Sequence, residues 1–212
     1  TKIAELCQVS TSGILRFCQV LGYKGYKDFR FDMLHYLHQE HVEVNSENLF
    51  DELTSKYLSV IRQFNNIDQN KLNQLIKQIK NTKNIYIIGV HYSSLPAKHL
   101  VLGLQDLGIN TYFAYDYMQA SHLYNTIHED DLLIYFSIEG NQNNVSRFFD
   151  LTNASKNTYI ITLNPKPKLL IENTLILPGY TLSKQSIVDL QSIVVIFVEL
   201  LLNMFHNTLK EN

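Results

Sequence analysis

Short apolar runs rich in β-branched residues alternate with segments of helical periodicity from residue 84 onward. The predicted strands are 85–88, 111–114, 132–136, 159–162 and 174–177. The predicted helices lie near 95–107, 117–125, 144–155 and 185–209. Strands that alternate with helices form a parallel sheet covered on both faces, and right-handed crossovers make it doubly wound. Ligands bind such sheets at the carboxyl ends of the strands. The candidate ligand loops are therefore 89–94, 137–142 and 163–168.

The residues before this pattern read as short helices without strands. Ser10 is a favourable N-cap for a helix that Gly22 ends. The polar segment 40–48 predicts a linker, followed by an amphipathic helix over 49–64 and a helix capped by Asp68. We therefore expect an all-α head, a linker with a connecting helix, and an α/β body, over residues 1–40, 41–65 and 66–212.

The head has the spacing of a helix-turn-helix. A small Ala4 precedes a turn, and β-branched Ile14 plugs the crossing from the second helix. Residues at the start of such a second helix enter the major groove of DNA, and basic residues after it contact phosphates. The predicted DNA-binding residues are Ser10, Thr11, Ser12, Arg16, Lys24 and Lys27.

Charge is distributed unevenly along the chain. The whole sequence carries a net charge of −2. The first 30 residues contain five basic and two acidic side chains, a net charge of +3. Any nucleic-acid binding must therefore come from a local basic patch.

Cysteine usage and the absence of a secretion signal favour a cytoplasmic protein. Two cysteines, Cys7 and Cys18, cannot form a disulfide framework, and we expect both on apolar helix faces. The apolar stretch 187–205 is interrupted by polar residues and predicts a buried or interface helix rather than a membrane span. The chain starts at Thr1 instead of Met, which predicts a fragment or a processed chain.

The head resembles the N-terminal domain of RpiR-type transcriptional regulators. The similarity rests on Val9-Ser10, Arg16-Phe17-Cys18, Leu21-Gly22-Tyr23, Lys24-Gly25-Tyr26 and Phe29-Arg30. The resemblance implies a domain that is N-terminally incomplete here, because the helix that normally precedes this motif is absent. It also implies a double-stranded DNA operator as partner.

The body is similar to the sugar isomerase (SIS) domain of the same regulators, from Ile85 through the long C-terminal helix. In that family the loops bind a phosphosugar through hydroxyls and backbone amides at helix N-termini. The first loop usually reads Gly-x-Gly-x-Ser, and the second Ser-x-Ser-Gly-x-Thr. The resemblance implies a ligand site formed by Gly89, His91, Ser93, Ser94, Ser137, Glu139, Gly140 and Gln142.

Three positions in these loops depart from the family pattern. His91 replaces a Gly, Glu139 replaces a Ser, and Gln142 replaces a Thr. A carboxylate 4 Å from a phosphate charge costs about 4 kcal/mol at an effective dielectric near 20. Lys166 and Lys168 are predicted to offset this repulsion or to pair with Glu139. The alternatives are a phosphosugar bound in a modified way, a neutral or amine-bearing ligand, and a ligand-free dimerisation module.

The function predicted from the sequence is a DNA-binding transcriptional regulator that senses a phosphosugar or related carbohydrate. It is expected to be a homodimer or tetramer and not an enzyme. The alternative is a sugar-phosphate isomerase using His91 and Glu139 as candidate bases. His35, His38 and His41 share one helix side, but nothing completes a tetrahedral metal site. We therefore expect no metal and no cofactor.

Overall fold

The computed structural model describes Ala4, residues 6–30, Met33 and residues 48–140, 157–167, 171–186 and 190–210. The chain divides into two compact units, Thr1–Ser55 and Lys56–Asn212. The predicted helix near 144–155 and most of the predicted linker lie outside the described residues.

The N-terminal unit contains helix α1, Thr11–Val20. The hydroxyl of Ser10 accepts a hydrogen bond from the Gly13 amide at 3.0 Å, as an N-cap does. At the other end Gly22 has a φ of 88°, and the amides of Gly22 and Tyr23 donate to the carbonyls of Gln19 and Cys18. This pair of bonds is a Schellman motif, so both predicted caps are confirmed.

Aromatic side chains pack around Phe29 in this unit. The Phe29 ring lies 5.7 Å from the Phe17 ring and 5.4 Å from the Tyr23 ring, both edge-on. Cys18 of α1 is fully buried, as expected for a small hydrophobic residue. Cys7 is exposed, which corrects the expected burial: it lies in the turn before α1 and not on a packed helix face.

Two helices precede the sheet. Helix α2 spans Leu49–Arg62 and is continued by a 3₁₀ turn, Gln63–Asn66. Helix α3 spans Gln69–Asn81, and the Asp68 carboxylate accepts hydrogen bonds from the amides of Asn70 and Lys71. The four buried residues of α3 recur at helical spacing, which is why the sequence forms a helix that faces the core: Leu72, Leu75, Ile76 and Ile79.

The sheet has five parallel strands in the order β2-β1-β3-β4-β5. The strands are β1 (Ile85–Gly89), β2 (Thr111–Ala114), β3 (Leu132–Phe136), β4 (Thr158–Thr162) and β5 (Thr174–Ile176). Strands β1, β3 and β4 are buried along their whole length, as expected for strands covered on both faces. The predicted doubly wound parallel sheet is confirmed. The strand order reverses between β1 and β3.

Four further helices are described in the body. They are α4 (Ser94–Asp106), α5 (Tyr117–Tyr124), α6 (Tyr180–Gln185) and α7 (Gln191–Lys210). The predicted single helix over 185–209 is wrong at its start, because Ser186 has an extended backbone and ends α6. By length and composition α7 could cross a membrane, but buried helices of soluble cores pass the same test. Six of its residues join the main core: Ile193, Val194, Phe197, Val198, Leu201 and Phe205.

Candidate functional site

A cleft of about 100 Å³ opens at the carboxyl ends of β1 and β3. This is the point at which the strand order reverses, where doubly wound sheets bind ligands because the two flanking loops diverge. The predicted loops 89–94 and 137–142 both contribute to it. The lining residues are Val90, His91, Tyr92, Ser93, Tyr117, Tyr135, Phe136, Ser137, Ile138 and Glu139.

Gly89 allows the first loop to turn sharply into α4. A Cβ on this residue would lie 2.2 Å from the Ser93 carbonyl oxygen and 2.8 Å from the Ala97 Cβ. Neither neighbour is the movable end of a long side chain, so only glycine fits. Gly89 thereby places the 3₁₀ turn His91–Ser93 directly over the end of β1.

His91 has a left-handed backbone, with a φ of 54°. Its imidazole is exposed and contacts the edge of the Tyr117 ring at 5.8 Å between centroids. Non-glycine residues adopt this conformation at a cost of about 1–2 kcal/mol. The loop therefore keeps the backbone shape that glycine would take most easily, and adds a ring at the mouth of the cleft.

Serine residues from both loops line the cleft. The buried Ser93 Oγ accepts a long hydrogen bond, 3.5 Å, from the Ile138 amide of the second loop. Ser137 is also buried, and its hydroxyl has no hydrogen-bond partner among the described residues. Ser94 is used differently, because its hydroxyl donates to the His91 carbonyl at 2.6 Å and closes the turn. Ser93 and Ser137 are thus the hydroxyls that remain for a ligand.

The Glu139 carboxylate is paired with Lys184 of α6, at 2.5 Å between Oε2 and Nζ. The hydrogen bond that Lys184 donates to Glu139 raises the pKa of the Lys184 ammonium, which stays charged. Lys184 also lies 5.2 Å from the centre of the Tyr180 ring. The sequence predicted Lys166 or Lys168 as the partner. The structure gives this role to Lys184, and Lys168 lies outside the described residues.

The backbone after Glu139 is fixed by close contacts. Gly140 has a φ of 59°, and a Cβ there would lie 2.9 Å from the Pro167 Cβ. The Glu139 carbonyl accepts a hydrogen bond from the Asn164 side chain at 2.8 Å. The second loop is therefore anchored by Asn164 and lies close to Pro167 up to residue 140. Gln142, the last predicted ligand residue, lies outside the described residues.

Two of the cleft-lining tyrosines, Tyr117 and Tyr135, lie outside the loops that the sequence predicted. Tyr135 belongs to β3, and Tyr117 begins α5 just beyond the carboxyl end of β2. Burial raises the pKa of the Tyr135 phenol far above its usual value, and Tyr117 adds to the effect, so the phenol stays protonated. Tyr117 could have been found by applying the strand-end rule to β2 as well.

The six predicted DNA-binding residues are all exposed. Thr11, Ser12 and Arg16 lie on the first turns of α1, while Lys24 and Lys27 follow the helix. The Ser10 hydroxyl is already engaged, because it caps α1 and lies 2.8 Å from the Ser12 hydroxyl. This arrangement leaves Thr11, Arg16 and the two lysines with the side chains best placed for a partner.

Within the described part of the chain, no group of three or more His, Cys, Asp or Glu side chains has the geometry of a metal site. His35, His38 and His41 lie outside the described residues.

Comparison with known proteins identifies relatives of both units. Residues 1–40 match the helix-turn-helix domain of the rpiR family. An uncharacterized HTH-type transcriptional regulator from the aarA 3′ region of Providencia stuartii is 25% identical over 84% of this chain and 68% of its own length. A second such regulator, from Haemophilus influenzae, is 26% identical over 58% of this chain and 49% of its own length.

Solved structures share the fold. The NanR protein of Vibrio vulnificus, in complex with ManNAc-6P, covers 100% of this chain and 80% of its own, with 19% identity and a TM-score of 0.60. The sugar isomerase domain of an RpiR transcription factor from Sphaerobacter thermophilus covers 77% of this chain and 92% of its own, with 17% identity and a TM-score of 0.65.

A third structure with this fold is described as an enzyme. It is a hypothetical protein of Methanococcus jannaschii, inferred to be a 3-hexulose-6-phosphate isomerase. It covers 76% of this chain and 92% of its own, with 24% identity and a TM-score of 0.56. At this identity the likeness establishes a common fold, which regulators and isomerases share.

Proposed function

We propose that this chain is an RpiR-type helix-turn-helix transcriptional regulator, as the matches of its head and of its whole length support. We propose further that its α/β unit senses a phosphorylated sugar or a related carbohydrate metabolite. The observation that carries the proposal is the cleft at the β1/β3 reversal, with the hydroxyls of Ser93 and Ser137 at its base. Serine hydroxyls and the start of α4 are suitable donors for a phosphate. The NanR structure, which contains ManNAc-6P, supports the same ligand class.

The head is the proposed DNA reader. Thr11, Ser12 and Arg16 enter the major groove, with Arg16 at a guanine edge or a phosphate. Lys24 and Lys27 contact the DNA backbone. The regulator acts in the cytoplasm, as a dimer or tetramer whose heads bind two half-sites about 34 Å apart or a multiple of that distance. The proposed domains are the helix-turn-helix head over 1–40, the linker and connecting helix over 41–65, and the α/β body over 66–212.

We propose a binding role for the cleft and not catalysis. Aldose–ketose isomerisation needs a base that moves a proton between adjacent carbons. Glu139 is poorly placed to act as this base, because its carboxylate already accepts a hydrogen bond from the Lys184 ammonium. The matching relatives named as transcriptional regulators support the same choice.

The proposal is tested by measuring how sugars change DNA binding. The native-length protein is titrated onto DNA fragments from upstream of its own gene, with and without a panel of phosphosugars and their unphosphorylated counterparts. We expect a specific complex whose affinity shifts with one phosphosugar and not with the free sugar. Specific DNA binding that no sugar alters would favour a ligand-free dimerisation module, and isomerase activity on the panel would favour the enzyme.

A further inference from the structure

The cleft contains a carboxylate where an anionic ligand is expected, and this carboxylate already has a cation. Glu139 lines the cleft and Lys184 is bound to it from α6. The ten described lining residues include no Lys or Arg. Among the described residues, a phosphate in the cleft would therefore meet hydroxyls and backbone amides, and Lys184 is placed to add a positive charge to them.

The surroundings of the ion pair allow the Glu139 carboxylate to move away while the Lys184 ammonium stays in place. The Glu139 carbonyl accepts a hydrogen bond from the Asn164 side chain, so the carboxylate can leave Lys184 by side-chain rotation without displacing this backbone anchor. The side chains of Lys184 and Glu139 are 52% and 35% exposed, and such pairs are weak and exchange partners readily. The Tyr180 ring, 5.2 Å from Lys184 Nζ, continues to attract the ammonium when the carboxylate is absent.

We propose that Lys184 is the residue that binds the effector's phosphate, and that Glu139 is a built-in competitor which occupies Lys184 until the phosphate displaces it. This inference rests on the proposed sugar-sensing function and adds a positive charge that the described lining residues do not supply. It assigns a binding role to α6, outside the two loops that the sequence pattern identifies. It also makes the α6 contact sensitive to the effector, since the bond between α6 and the second loop breaks when phosphate binds.

Isothermal titration of four full-length proteins tests the competition: the unchanged chain, Glu139→Gln, Lys184→Met and the double variant. The probes are ManNAc-6P, glucose 6-phosphate, inorganic phosphate and unphosphorylated N-acetylmannosamine. Glu139→Gln should bind the phosphorylated probes about tenfold more tightly, since it frees a charged hydrogen-bond donor. Lys184→Met should weaken them by about tenfold or more, and should cancel the gain in the double variant. Lys98→Met, an exposed lysine of α4, is the matched charge control.

The outcomes separate this inference from the function on which it rests. Phosphosugar binding that is equal in Glu139→Gln and the double variant would overturn the role of Lys184 and leave the sensing function intact. An equal loss in Lys98→Met would also overturn it, because the effect would then be one of general charge. If none of the four proteins binds any phosphorylated probe, both proposals fail. Thermal melting of each variant checks that the fold is retained.

Discussion

At the scale of single residues, two positions in the loops beside the cleft show how different residues adopt the same left-handed backbone conformation. Gly140 takes a left-handed conformation where a neighbouring proline leaves no room for a Cβ. His91 takes a left-handed conformation too, but it retains a ring that faces Tyr117. Packing near Pro167 requires glycine at position 140, whereas His91 is a strained residue at the mouth of the cleft.

The strain at His91 can be measured with a matched pair of substitutions. His91→Gly and His91→Ala both remove the ring, but only glycine accepts a φ of 54° without a Cβ penalty. We expect His91→Gly to have the higher free energy of unfolding, by about 1 kcal/mol. Urea denaturation of the two variants gives the difference. Equal stabilities would mean that the loop relaxes out of the left-handed region.

Substitutions of two exposed side chains in the head are expected to reduce the DNA affinity of the protein in different ways. Arg16→Ala should cost about 1–3 kcal/mol on the specific operator and relax its sequence preference, because an arginine at a base edge discriminates bases. Lys24→Ala should weaken all sequences alike and flatten the salt dependence, as loss of a phosphate contact does. Gel-shift titrations at several salt concentrations measure both. An equal loss on operator and random DNA for Arg16→Ala would exclude base reading.

The residues of the cleft were only partly accessible from the sequence. Ser93, Ser137 and Glu139 follow buried strands, and all three line the cleft at the strand ends. Their role in ligand binding stays a prediction. The strand-end rule does not identify Lys184, because its pairing with Glu139 depends on how β5 and α6 bring residue 184 back to the second loop. Such long-range pairs have no local pattern.

At the scale of elements, the strands were the easiest features to predict. β2 and β3 have the predicted bounds, and the others differ by one residue at an end. Uninterrupted apolar runs have few alternatives in a sheet covered on both faces. The start of α7 was missed because Ser186, which breaks the helix, is neither Gly nor Pro, and the apolar pattern continues across the break.

The packing of α7 on the core predicts a large effect from one substitution. Phe197 is 2% exposed and meets the Phe64 ring edge-on at 6.4 Å. Phe197→Ala should lower the free energy of unfolding by about 3–5 kcal/mol, since it leaves a cavity in the core. Leu200→Ala on the same helix is the control, because Leu200 is 46% exposed and should change stability by less than about 0.5 kcal/mol. Chemical denaturation of both variants decides whether α7 is a core element.

At the scale of the whole molecule, several large apolar side chains of the body remain exposed. Leu95 and Leu102 on α4 and Leu200 on α7 are each about half accessible to solvent. The sequence places a continuous apolar run in α7, of which one face packs inward. Apolar side chains gathered on one surface favour association with a partner.

We expect the protein to be at least a dimer at micromolar concentration. Covering these leucines removes apolar surface from water, which favours association. Multi-angle light scattering measures the mass directly, and the triple change of Leu95, Leu102 and Leu200 to Ser should shift the population toward monomer. A stable monomer of 24.6 kDa would contradict the prediction.

The strand order has a consequence for how the chain is made. β1 is synthesised first but lies inside the sheet, and its β3 neighbour follows only after β2 and α5. At roughly 5–20 residues per second, the ribosome takes seconds to supply β3. During that interval the apolar β1 has a bare edge that can pair with another nascent chain. Synthesis of this protein therefore includes a period in which an inner strand of the finished sheet is open to pairing between chains.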